Sequence, residues 1–225
     1  MLMMVMGNLL FAHEKGEVFL RPEVQFGLEI PNIHLENEHP KGDYVSLGLD
    51  WGARVTAGYY FFKWLGAEAG LGFGGFHDRN SYKLRNSTAA LTETWDYDAG
   101  YFIIPVGVRL NRERFAAGVG LTAHIPVFFN FSGVSRDAAV KPVAITDIND
   151  DNFRIQPFLG GYIDIGYDWA ADSEAKKGGF GIYLRTQFPF DTNIGAGDNG
   201  FTAFQHAGLS VIVSYCFPLA QFPIK

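Results

Sequence analysis

From Val18 to Ile30 every second position is apolar (Val18, Leu20, Val24, Phe26, Leu28, Ile30), with Arg21, Glu23, Gln25, Gly27 and Glu29 between them. Alternation with period two marks a β-strand with one apolar face, because successive side chains of an extended chain point to opposite sides. Seven further runs repeat the pattern, at 45–61, 65–74, 101–110, 117–131, 153–169, 180–190 and 206–217. The connections alternate in length: 31–43, 77–96, 132–151 and 191–203 are long, while 62–64, 111–114 and 170–179 are shorter. An even number of strands with short turns at one end and long loops at the other predicts an all-β fold: an eight-stranded antiparallel up-and-down transmembrane β-barrel with external long loops.

The same period would suit a soluble barrel, so the composition of the second face decides between them. That face is rich in glycine, with isolated Arg, Glu and Asp, whereas a water-facing wall would carry many lysines and glutamates. Glycine suits a crowded lumen, since eight strands leave a bore only just wide enough for side chains. The apolar set of the eight runs contains no Lys, Arg, Asp or Glu, as expected where Lys or Arg facing lipid costs about 2–4 kcal/mol at the midplane. Aromatics gather at the strand ends: Tyr59, Phe61, Trp64, Phe115, Tyr167, Trp169, Phe180, Tyr215 and Phe217 at the short turns, and Phe129, Phe131, Phe153, Phe188 and Phe190 at the long loops. The expected lipid-interface girdle comprises Tyr59, Phe61, Trp64, Trp169, Phe180, Tyr215 and Phe217.

Composition narrows the function classes. At 225 residues and 19% charged, with 21 Phe and 27 Gly, the chain is short of charge and rich in rings and glycine, and one barrel accounts for its length. A net charge of −6 leaves no basic face for nucleic acid, so none is expected as a partner. The single cysteine, Cys216, excludes an intrachain disulfide and a cysteine-based metal cluster. No apolar run reaches the length of a membrane-spanning helix. Residues 1–12 are apolar and read as a truncated signal-peptide remnant ending at Ala12, without the usual basic start. Residues 13–225 form the single barrel domain.

The expected lumen-lining polar residues are Arg21, Glu23, Asp50, Arg54, Glu68, Arg109, His124, Arg154, Asp164 and Arg185, with Asp168 beside them. In a narrow bore such charges must pair, because an unpaired buried charge is expensive. They therefore predict a salt-bridged plug; a narrow polar conduit is the alternative. Phe128, Ile103, Phe158 and Ile212 are apolar on the same face and read as lumen filler. His77, Asp78, Ser81, His124 and His206 have no spacing that suggests a nucleophile with its base, so an enzyme is not expected, and neither is a cofactor. Asp147, Asn149, Asp150, Asp151 and Asn152 could take calcium, although a solvated loop is the plainer reading, and no metal site is expected.

On these runs the chain resembles the small outer-membrane barrels of the OmpA, OmpX and OmpW kind and the broader outer-membrane β-barrel domain. The resemblance covers most of residues 17–217 and is carried by Gly58–Phe73 (GYYFFKWLGAEAGLGF), the Ile104-Pro105-Val106 step and the Leu209, Val211, Val213, Tyr215, Phe217 ladder. That ladder is similar to the C-terminal signal read by the barrel-assembly machinery, which ordinarily ends on an aromatic; here Pro218–Lys225 follow. The resemblance implies a bacterial outer-membrane location, with outer-membrane lipids and the assembly machinery as partners. It further implies a structural or narrow porin role for small solutes or, by analogy with OmpW, hydrophobic ligands in a pocket near the outer end that Phe128, Ile103, Phe158 and Ile212 could line. Adhesion through loops 77–96 and 132–151 is the alternative, and an outer-membrane lipid-modifying enzyme a more distant one.

Overall fold

The computed structural model describes residues 13, 15–35, 44–45, 48–83, 91–112, 114–137, 143–145, 153–155, 157–169, 178–190, 194–196 and 201–221. Eight strands build the barrel: β1 (Glu17–Leu35), β3 (Gly48–Phe62), β4 (Leu65–Lys83), β5 (Leu91–Arg112), β6 (Phe115–Asp137), β9 (Phe158–Asp168), β10 (Gly179–Pro189) and β12 (Phe201–Gln221). Four short strands lie toward the long-loop end: β2 (Tyr44–Val45), β7 (Val143–Ile145), β8 (Phe153–Ile155) and β11 (Ile194–Ala196). Each barrel strand pairs antiparallel with its neighbour in the order β1, β3, β4, β5, β6, β9, β10, β12, and β12 returns to β1 with Val24 opposite Val213 and Leu28 opposite Leu209. The barrel is closed and up-and-down, so these eight strands leave no edge.

Exposure follows the alternation. On the outside Phe26 is 64% and Leu121 59% exposed, whereas Arg21, Arg109 and Arg185 inside are each 1% exposed. Glycine makes room for the interior rings. A Cβ on Gly120 would lie 2.6 Å from the Tyr162 ring, and one on Gly166 would lie 2.6 Å from the Tyr183 ring. At the short-turn end backbone bonds join the hairpins to one another, Asn111 N–H to Trp64 O at 2.9 Å and Asp168 N–H to Arg114 O at 2.7 Å.

At the long-loop end the strands run past their predicted limits: β1 continues to Leu35, β4 to Lys83, β5 begins at Leu91, β6 continues to Asp137, and β12 begins at Phe201. Beyond the apolar band both faces of a strand can be polar, so the ladder persists where alternation does not. On the outer wall of β4 apolar and small residues extend from Leu65 to Gly75, then His77 and Arg79 follow, paired across to Asp98 at 2.7 Å and Asp96 at 3.4 Å on β5. The ten steps from Leu65 to Gly75 make about 33 Å of strand, or about 25 Å along the normal at a tilt of about 40°, the height of an outer-membrane apolar band.

Two predicted positions are corrected. Phe128 was expected inside, but it is 39% exposed and approaches the outward Phe73, with centroids 6.4 Å apart. Opposite Gly100 and Tyr101 stand Phe128 and Pro126, so Val127 is an extra residue; such a bulge shifts the phase of a strand by one. Arg154 was expected in the lumen, but it lies on β8, which pairs with β11 opposite Gly195 in a separate two-stranded sheet. The sixth run is broken at Pro157, which belongs to no strand, and proline lacks the N–H a ladder needs. Residues 1–12, with the signal-remnant reading, and Asp147–Asn152, with the calcium reading, lie outside the described residues, as do the side chains of Ser81, Phe129, Phe131, Phe153, Arg154 and His206.

Candidate functional site

The lumen is layered. At the short-turn end His13 stacks on Tyr60, with centroids 4.1 Å apart, and bonds Glu17 at 2.9 Å; Phe19, Tyr60 and Cys216 pack together beside it. His13 was not singled out from the sequence, and nothing in its local pattern marks it as buried.

Above this floor the ionic residues close a ring of alternating charge across the bore. Arg21 meets Glu23 at 3.4 Å and Glu68 at 2.8 Å; Glu68 meets Arg109 at 3.8 Å; Arg109 meets Asp164 at 4.0 Å. Arg185 grips Asp164 through two nitrogens, at 2.5 and 2.6 Å, and reaches back to Glu23 at 3.0 Å. Arg54 pairs with Glu23 as well. The ring takes one or two residues from each of β1, β10, β9, β5 and β4, so only the closed barrel can bring it together.

Tyrosines support the ring. Arg109 lies 4.3 Å from the Tyr183 ring centroid and Arg185 lies 4.9 Å from that of Tyr162, within the range of cation–π attraction. The Tyr162 hydroxyl donates to Glu68 at 3.2 Å and that of Tyr183 to Asp168 at 2.8 Å. Four arginines against Glu23, Glu68, Asp164 and Asp168 leave these layers electrically balanced. Sequence alternation placed Tyr60, Tyr162 and Tyr183 inside but did not reveal their role, which depends on contacts between distant strands.

Gln25 forms the next layer. Its oxygen accepts from Arg54 at 3.3 Å and Arg185 at 3.4 Å below, while its amide nitrogen donates to Asp50 at 2.8 Å above. Asp50 also accepts from Ser210 at 2.5 Å and Gln187 at 3.4 Å. Beyond it, toward the long loops, is a cavity with about 50 Å³ of free space, lined by Asp50, Glu29, Tyr101, Ile103, His124 and Phe158 among others. His124 stacks on Phe158 at 4.3 Å and bonds Thr122 at 3.0 Å. Asp78, read from the sequence as part of a loop, is inside and 1% exposed, because β4 continues in phase beyond it.

Arg21, Glu23, Asp50, Arg54, Glu68, Arg109, His124, Asp164 and Arg185 thus all face one bore. Ile103 and Phe158 line the cavity, whereas Ile212 packs deeper, with Ala116 and Tyr183. Phe61, Trp64, Trp169, Phe180 and Phe217 are exposed on the outer wall at the short-turn end, and Tyr59 and Tyr215 are half-buried beside them. At the other end Trp51, Phe73, Phe102 and Phe128 form an outward cluster with Phe73 at its centre. His77 is also on the outer wall, paired with Asp98.

A closed antiparallel barrel with an apolar wall, aromatics at both margins and ionic contents reverses the polarity of a water-soluble protein, and is the architecture of small integral proteins of the bacterial outer membrane. This chain is such a barrel, with its outer wall facing lipid.

No family model matches the chain, and no curated protein matches it. Among solved structures it is similar to AlkL, an outer membrane protein determined in lipid bilayers, at 12% identity over 94% of this chain and 95% of that one, with a TM-score of 0.45. It is similar to OprG of Pseudomonas aeruginosa at 11% identity over 92% and 98%, TM-score 0.42, and to the attachment invasion locus protein Ail of Yersinia pestis at 10% over 88% and 98%, TM-score 0.36. Identities and scores of this size leave the barrel to be judged by its own geometry.

Proposed function

We propose that the protein is a plugged outer-membrane barrel with a structural role, which admits small solutes from outside only as far as the cavity above its ionic ring. The observation that carries this reading is the closed cycle Arg21, Glu23, Arg185, Asp164, Arg109, Glu68, whose members span the bore and are buried. The cavity above the ring, with about 50 Å³ of free space, holds a few waters, each needing about 10–15 Å³. The refolded protein in planar bilayers is expected to give no sustained conductance; reproducible open channels would overturn the reading.

The reading extends to assembly and chemistry. Leu209, Val211, Val213 and Phe217 are exposed in register along β12, which supports recognition of that strand by the barrel-assembly machinery. The protein acts without catalysis, so lipid A from cells expressing it should keep its mass. A second reading, surface adhesion, is favoured by one observation: β4, β5 and β6 continue past the apolar band into a sheet whose first outward pairs are polar, His77 with Asp98 and Arg79 with Asp96.

A further inference from the structure

The lipid-facing wall is not evenly filled. Across β10, β12, β1, β3 and β4 it is indented by a groove with about 460 Å³ of free space, against about 50 Å³ for the cavity in the bore. Its bed follows one line of cross-strand neighbours: Phe180 opposite Tyr215, then Pro22, Val55 opposite Pro22, and Leu71 opposite Val55. The β1–β12 ladder passes from Leu20 opposite Phe217 to Glu23 opposite Ser214 without a rung between them, since proline at position 22 has no N–H to give. On the next line Ala53, small and turned outward, stands between Val24 and Phe73. Glu23, Arg54 and Ser214 lie behind the groove, but all three are buried. The surface on offer is apolar, with Leu71 and Phe180 each 60% exposed and Val24 57%.

The groove climbs through one leaflet. Its lower end is the aromatic margin at the short turns, where Phe180 and Tyr215 meet edge to face at 4.9 Å and 83°, and this end faces the periplasm in barrels of this kind. Phe180 is one step from the start of β10 and Leu71 six steps from the start of β4. The difference of five steps, at about 3.3 Å each and a tilt of about 40°, is about 13 Å along the normal. Half of a hydrocarbon core of about 30 Å is about 15 Å, so the furrow runs from the headgroup margin to near the midplane. That is the depth and the chemistry of one acyl chain. A second copy of the barrel would meet it with a convex wall, whereas a flexible chain can follow a furrow that bends around the cylinder. Filling the hollow recovers close contacts that loosely packed lipid leaves unmade.

We propose that this groove binds one acyl chain of a phospholipid from the periplasmic leaflet and holds it more tightly than the surrounding lipid. The site rests on the lipid-facing wall and is independent of the plugged bore.

The test refolds the barrel into vesicles of phosphatidylethanolamine alone, transfers it to a mild detergent and counts the phospholipid that stays bound by native mass spectrometry. Most wild-type barrels should keep one phospholipid. Ala53→Phe fills the groove with a ring from the lipid side and should lower the retained fraction at least fivefold, with folding checked by gel mobility before boiling; Ala53→Leu should fall between the two. Val119→Phe, equally lipid-facing on β6 away from the groove, should retain as much as the wild type. A wild-type barrel that keeps no phospholipid would overturn the proposal. So would retention by Ala53→Phe equal to the wild type, which would place the chain elsewhere on the wall, and so would an equal loss in Val119→Phe, which would mark ordinary boundary lipid.

Discussion

Arg185 bonds Asp164 through two nitrogens and Glu23 through a third, and all three residues are buried. Its removal would leave Asp164 without its nearest counter-charge and take one of three arginines from Glu23, and breaking such a buried pair ordinarily costs about 3–5 kcal/mol. Arg185→Leu is therefore expected to lose stability of that order in urea unfolding from lipid vesicles. Arg185→Leu with Asp164→Leu should lose less than the sum of the two single changes; simple additivity would mean that the ring does not act as a unit. The residue types were legible in the sequence, since Arg21, Glu23, Arg54, Glu68, Arg109, Asp164 and Arg185 stand on the non-lipid face of their runs. Their partnerships were not, because Arg185 and Glu23 are 162 positions apart.

An individual strand records two environments. Along β4 the outward side chains change from Leu71 and Phe73 to His77 and Arg79 within a few steps, and the change marks the margin of the lipid. Leu71→Arg should cost about 2–4 kcal/mol, as for a cation at the bilayer midplane, whereas Asp98→Arg above the band should cost about 0–1 kcal/mol. Equal losses in vesicle unfolding would mean that the band has been placed wrongly. Alternation located the lipid-crossing parts of these strands because lipid on one side and packed polar groups on the other enforce it. It missed Asp78 and the outer parts of β5 and β6, where the ladder alone holds the strand, and it misread the phase of Phe128 because a bulge adds a residue without any signature in local composition.

At the scale of the whole molecule, closure is what makes the interior possible. β1 and β12 lie opposite each other, with Val24 against Val213, so cysteines at these two positions should form a disulfide on oxidation, checked by altered mobility of the boiled, unreduced protein. Failure of that bond to form in the folded state would mean that the cylinder is open. The native Cys216, buried at the short-turn end, should resist a bulky maleimide until the barrel unfolds, which distinguishes a closed floor from a wet one.

The sequence by itself determined the number of barrel strands, the face each turns to lipid and the sign of most interior charges, because these follow from a period of two imposed by a bilayer on a local stretch of chain. Only the tertiary structure decided that the charges close a ring, that Gln25 divides that ring from an acidic, ring-walled cavity, and that Arg154 and Phe128 stand elsewhere than their runs suggest. Each of these depends on which strands become neighbours across the bore and on the register between them, and neither is written in the period of a single strand.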